Sequence, residues 1–148
     1  KLAAIYRPLN NIFLNPIMEK IRKKYICKNQ IKKGIGGLKE LVKLNKNGFS
    51  TALMIDQRVT EGIKSKFFNK EAFTTSIPAQ LVKRFNFEVV PVFIKRIEDI
   101  KFEIKIDKPI HFSEENSIEN ITDELNSILE KMIIRNPKQW IWTHNRWK

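Results

Sequence analysis

Two stretches in the second half of the chain limit what it can fold into. "IKFEIKID", from Ile100 to Asp107, puts Ile100, Phe102, Ile104 and Ile106 at every second position with charges between them. Strand side chains alternate between faces, so this pattern predicts a half-exposed strand with one apolar side. Further on, the spacing changes. Ile121, Leu125, Ile128, Leu129 and Met132 recur at three- and four-residue intervals, which predicts a helix over Thr122–Arg135 with Pro137 to stop it. A chain that switches between these periods is neither all-helical nor all-strand.

The rest of the sequence repeats the alternation. "LAAIY" reads as a short buried strand and "RPLNN" as a turn. Between Ile12 and Tyr25, Ile17, Ile21 and Tyr25 fall at helical spacing, with Lys20, Arg22, Lys23 and Lys24 on the other faces. "KKGIGG" predicts a glycine-rich break, "LKELVKL" a short amphipathic helix, and Gly48 its C-terminal stop. "FSTALMID" predicts a strand with an acidic end, "TTSIPAQLVKRF" a helix with Pro78 in its first turn, and "FEVVPVFIKR" a buried strand. Strands alternating with helices make an α/β domain with a mixed sheet. At 148 residues the chain is long enough for one domain with a proper core.

Charge narrows the class of partner. The net charge is +12, and residues 1–48 hold 12 Lys/Arg against 2 Asp/Glu, whereas residues 49–148 hold 16 against 14. The positive field therefore sits in the first third and suits an anionic partner: nucleic acid, phospholipid or an acidic protein. No element of the kind that reads nucleic acid is recognisable, which argues against a nucleic-acid-binding module. Cys27 is the only cysteine, so no internal disulfide can form. "STALMI" and "VVPVFI" are strand-sized, well short of the roughly 18 apolar residues of a spanning helix.

The usual catalytic inventories are thin. His111, His144 and one cysteine do not assemble a zinc site, and neither histidine has the setting of a serine-type triad. "GIGG" lacks the Lys-Ser/Thr of a phosphate loop. Asp56 and Gln57 stand where an apolar strand emerges, a usual place for functional groups in an open α/β sheet, although an aspartate there also starts turns. In "KFFN", adjacent Phe67 and Phe68 cannot both enter one core face of a strand, so one of them is expected to line a groove. Arg7, just after the first strand, could hold a phosphate or carboxylate bidentately, or be an ordinary surface arginine.

Taken in order, five blocks carry a resemblance: "YRPLNN" at Tyr6–Asn11, "MIDQRVTEGIKSKFF" ending at Phe68, "TTSIPAQL" at Thr74–Leu81, "VVPVFIKR" at Val89–Arg96, and the terminal "NPKQWIWTHNRWK". Together they resemble the late acyltransferases of lipid A biosynthesis, the lauroyl/myristoyl type within the lysophospholipid acyltransferase superfamily. The resemblance covers essentially all of residues 1–148. It implies a single acyltransferase domain with a mixed, mostly parallel sheet flanked by helices. It also implies transfer of a fatty acyl chain from acyl carrier protein to a hydroxyacyl chain on a phosphorylated glucosamine disaccharide, at the cytoplasmic face of a bacterial inner membrane. No cofactor or metal is implied, and the partners are the acyl carrier protein, the phosphorylated glycolipid and the membrane surface. A relative using coenzyme A, or another glycolipid or phospholipid acceptor, fits the same blocks.

The family's catalytic pair is a histidine followed, after four intervening residues, by an acid; the histidine serves as general base on the acceptor hydroxyl. Asn116, not an acid, stands five positions after His111, and His144 lies too near the last residue. The pair is thus expected upstream of Lys1, and the chain reads as the C-terminal portion of the domain, incomplete at its N-terminus and inactive alone. Carried over block by block, the resemblance makes Tyr6, Arg7, Asn10, Asn11, Asp56, Gln57, Gly62, Phe67, Phe68 and Arg146 substrate-binding or active-site support residues. Arg7 and Asp56 are expected to lie near each other. In the tail, which holds all three tryptophans, Arg146 and Trp147 are expected at least partly exposed on a membrane- or substrate-facing surface. Trp140 or Trp142 is expected to pack inward.

Overall fold

The computed structural model describes residues 1–60 and 62–147; Glu61 and Lys148 lie outside them. The chain forms two compact units, Lys1–Met54 and Ile55–Lys148.

In the first unit, β1 (Leu2–Tyr6) is the central strand of a three-stranded parallel sheet, between β2 (Asn29–Lys32) and β3 (Ser50–Ala52). Parallel neighbours need crossovers, and α1 (Leu14–Tyr25) and α2 (Ile35–Lys46) supply them. Ala3, Ile31 and Leu41 are buried here. β2 has no counterpart in the sequence reading, because Ile31 is its only apolar residue; pairing with β1 holds it extended. The glycine stretch is also less of a break than expected. Ile35, Gly36 and Gly37 form the first turn of α2, and a Cβ on Gly37 would collide with the Lys32 carbonyl oxygen. Gly48, at φ +76°, stops α2 as expected, its N–H donating to the Asn45 carbonyl at 3.0 Å.

In the second unit, β4 (Ile63–Phe67) and β5 (Lys70–Thr74) form an antiparallel hairpin, followed by α3 (Ile77–Phe85). A second antiparallel hairpin, β6 (Val92–Glu98) and β7 (Lys101–Ile106), precedes α4 (Ile118–Arg135). Ser117 caps α4, its Oγ accepting the Asn120 N–H at 3.1 Å. Ile121 and Leu125 of α4 meet Ala79 and Val82 of α3 and Phe112 in one core cluster. Phe67, Ala72 and Ile133 form another, covered by Trp140 and Trp147.

The α/β class holds, with one correction. Among the described residues parallel pairing is confined to β1, β2 and β3, and the other four strands pair antiparallel, so the expected mostly parallel sheet is not what these residues build. A second correction concerns "VVPVFIKR". The expected buried strand is largely exposed, as is every residue of β7, because these two strands pair only with each other. The Gln139 side chain occupies part of the free edge of β6. Its Oε1 accepts the Arg96 N–H and its Nε2 donates to the Arg96 carbonyl, both at 2.8 Å, as a neighbouring strand would.

Candidate functional site

The first group of expected site residues lies at the carboxyl end of β1, where open parallel sheets usually receive ligands. Tyr6 ends the strand with its side chain buried. Its hydroxyl donates to Glu19 Oε1 at 2.6 Å, and Asn15 Nδ2 donates to the same oxygen at 2.7 Å. Lys32 Nζ adds an ion pair at 3.2 Å. With three donors on one carboxylate oxygen, Glu19 is held down at about 2, chiefly by the Tyr6 hydroxyl. Burial, and then the anionic partner, push the Tyr6 phenol up to about 12. The Arg22 guanidinium lies over the Tyr6 ring, 4.9 Å from its centroid.

The loop after Tyr6 is pinned from both sides. Asn11 Oδ1 accepts the N–H groups of Phe13 and Leu14 at 2.9 and 3.1 Å, which starts α1. Asn15 Oδ1 accepts the Leu9 N–H at 2.9 Å. Arg7 and Asn10 are exposed on this fixed loop. A guanidinium displayed on rigid backbone can take a phosphate or carboxylate with little ordering cost. Tyr6 and Asn11 therefore build the loop, and Arg7 and Asn10 are the side chains it presents. Glu19 was missed by sequence reasoning, although it is one of only two acids among residues 1–48.

The second group lies in the Ile55–Lys148 unit, around Arg146. Contrary to expectation, Arg146 is buried, with 1% of its surface exposed. Nη1 donates to the Ile55 carbonyl at 2.8 Å, and Nη2 donates to Asn126 Oδ1 at 2.9 Å and to Thr74 Oγ1 at 3.2 Å. The guanidinium lies 4.3 Å from the Phe67 ring centroid. Burial lowers its pKa, and the Asp56 charge opposes that shift. Burying a cation is costly unless it is hydrogen-bonded, and here the tail returns into a pocket of acceptors on an aromatic face. Arg146 Nε and Asp56 Oδ1 are enclosed without a hydrogen-bond partner.

The acceptors around Arg146 are themselves fixed. Asn126 is fully buried, and its Nδ2 donates to Ser65 Oγ at 2.7 Å and Thr74 Oγ1 at 3.0 Å. Ser65 Oγ in turn donates to Asp123 Oδ1. Asn126 was missed in the sequence, yet a signal existed: with Thr122, Leu129 and Ile133 it keeps helical spacing, a polar residue inside an apolar stripe of α4.

Asp56 is half-buried and Gln57 exposed, on the bend after Ile55. The tail grips this bend twice, because His144 Nε2 accepts the Arg58 N–H at 3.0 Å beside the Arg146–Ile55 bond. Gly62 passes so close to β5 that a Cβ would collide with the Thr74 carbonyl oxygen. Phe67 is fully buried between Arg146 and Trp147, whose ring centroid is 5.6 Å away. Phe68 and Asn69 form the two-residue hairpin turn with φ +50° and +59°, as type I′ requires. That turn leaves Phe68 half-buried beside Trp142, with its N–H on Glu130 Oε1 at 2.7 Å. The tryptophans divide their roles. Trp140 packs on the core, Trp147 packs there too and donates to the Phe67 carbonyl at 2.9 Å, and Trp142 is exposed.

Arg7 and its loop thus belong to one unit and Asp56, Gly62, Phe67, Phe68 and Arg146 to the other. Among the described residues no helix is long and apolar enough to cross a membrane. A family model described as bacterial lipid A biosynthesis acyltransferase matches residues 1–148, and the chain belongs to that family. No curated protein matches it.

Proposed function

We propose that this chain is the C-terminal portion of an enzyme that moves a fatty acyl group from acyl carrier protein to a hydroxyacyl chain on a phosphorylated glucosamine disaccharide, at the cytoplasmic face of a bacterial inner membrane. The family match over the whole of residues 1–148 carries the acyltransferase class. The exposed Arg7 on its pinned loop supports a phosphorylated acceptor, because a guanidinium binds phosphate oxygens in pairs. The strongly basic first third supports an acidic carrier protein and an anionic lipid surface.

In this reaction a general base takes the proton of the acceptor hydroxyl, whose oxygen attacks the thioester carbonyl. A C–O bond forms, the C–S bond breaks, and the thiolate leaves with the proton returned to it. The base belongs to the histidine–acid pair expected upstream of Lys1, so the reading assigns acceptor binding, not proton transfer, to these residues. Incubating acyl carrier protein thioester and acceptor with the intact enzyme and with residues 1–148 alone tests this. The intact enzyme should acylate the acceptor, and the shorter chain should fall at least about 10²-fold lower, the loss typical of a missing general base. Turnover by residues 1–148 alone within about tenfold of the intact enzyme would refute the assignment.

A further inference from the structure

Most helices of a folded domain turn their apolar stripe inward, and α1 does the opposite. Asn15, Glu19 and Arg22, at i, i+4 and i+7, form its inner face and bind Tyr6 and Lys32 through hydrogen bonds, an ion pair and a cation–π contact. No residue of α1 is buried. Leu14, Ile17, Ile21 and Tyr25 form the outward stripe, Phe13 just ahead of the helix extends it, and Phe13 and Tyr25 are 80% and 71% exposed. Lys24 and Lys20 line one edge of the stripe, Lys23 lies beyond them, and the helix's one acid is engaged on the inner side.

We infer that α1 is an interfacial helix that lays its apolar stripe into an anionic lipid surface while its lysines reach the headgroups. An apolar stripe bordered by lysines is the composition of helices that lie in a bilayer interface. Charge decides the occupant. The charged edge of the stripe carries one sign only, so antiparallel packing of a second copy would bring lysines against lysines and no copy could neutralise them, whereas negative headgroups complement them. Nucleic acid would meet the lysines and stack on Phe13 or Tyr25, but it would leave the aliphatic Leu14, Ile17 and Ile21 in water. The inference rests on the acyltransferase reading only in that α1 follows the Tyr6–Asn11 loop directly, so a docked helix would hold Arg7 near the lipid surface.

The test is flotation of the protein with vesicles of phosphatidylcholine alone and of phosphatidylcholine with phosphatidylglycerol, at low and high salt. Binding should favour the anionic vesicles and weaken with salt. Ile17→Asp with Ile21→Asp, and separately Lys20→Glu with Lys23→Glu and Lys24→Glu, should each weaken it at least about tenfold. Circular dichroism should match the parent protein, since all five side chains are exposed. Absence of binding, binding that both variants retain, or binding to an acidic protein without binding to vesicles would overturn the inference. So would self-association through this face. Acyl transfer to a detergent-dispersed acceptor reads the enzymatic proposal separately, so the two can fail independently.

Discussion

Replacing Arg146 with alanine should unfold the Ile55–Lys148 unit more readily than any other change to the tail. The side chain makes three hydrogen bonds, to the Ile55 carbonyl, Asn126 Oδ1 and Thr74 Oγ1, and lies over the Phe67 ring. Hydrogen bonds from a charged donor contribute about 1.5–3 kcal/mol each. Against their sum stands the desolvation of the guanidinium, several kcal/mol in a protein interior. Removing only the arginine keeps the costs on the other side, since the Ile55 carbonyl and Asn126 Oδ1 lose their donor and a cavity opens against Phe67. The net loss should be about 3–5 kcal/mol, the range for breaking a buried polar cluster from one side. For a unit of this size that corresponds to a midpoint about 12 °C lower or more. All three tryptophans belong to this unit, so tryptophan emission during thermal or urea unfolding reports on it alone. A loss under about 1 kcal/mol, the usual cost of a surface substitution, would show that the tail lies on the unit without holding it.

Two further changes test the local geometry. Gly62→Ala should cost about 1–3 kcal/mol in the same unfolding assay, because its Cβ meets the Thr74 carbonyl and stands 2.8 Å from Val59 Cγ2. In the first unit, Glu19 is lowered from 4.5 to about 2, so its contribution is complete above its unfolded pKa and is lost as pH falls from there through 2. Tyr6 is raised from 10.0 to about 12, so its contribution is complete below pH 10 and is lost as pH rises through 12. Carboxyl chemical shifts should show the Glu19 midpoint climbing back toward 4.5 in Tyr6→Phe; an unchanged midpoint would remove the hydroxyl as the main cause.

The elements legible in the sequence were those that carry their own signal. α4 announced itself by spacing, although the expected start at Thr122 missed its first turn from Ile118 behind the Ser117 cap; α3 announced itself by Pro78, and β1 by its apolar run. β2 and the Phe68–Asn69 turn were not legible, the first because it is polar and held by β1, the second because it lacks the glycine that usually marks such turns. The helical period of α1 was visible, but not that polar contacts with Tyr6 and Lys32 would turn the apolar stripe outward. The burial of Arg146 was hidden for a related reason. Its partners lie 91, 72 and 20 residues away in sequence, so no local pattern shows that acceptors wait for it. Its neighbours in the chain suggested a solvated tail. Of the site blocks, Arg7 and Asn10 stand exposed on a strand-end loop, while Gly62, Phe67 and Arg146 hold the second unit together.

The central claim is that the Tyr6–Asn11 loop presents Arg7 to a phosphorylated acceptor during acyl transfer. The most direct measurement is acyl transfer by the intact enzyme, wild type beside Arg7→Ala, with the acylated disaccharide followed by mass spectrometry and both proteins melted in parallel. Wild type should form the acylated product. Arg7→Ala should lose about 10²-fold in kcat/KM, the order expected when a charged contact to substrate is removed, with its melting midpoint within a few degrees because Arg7 is exposed. No acylated product from wild type, or full activity in Arg7→Ala, would contradict the account.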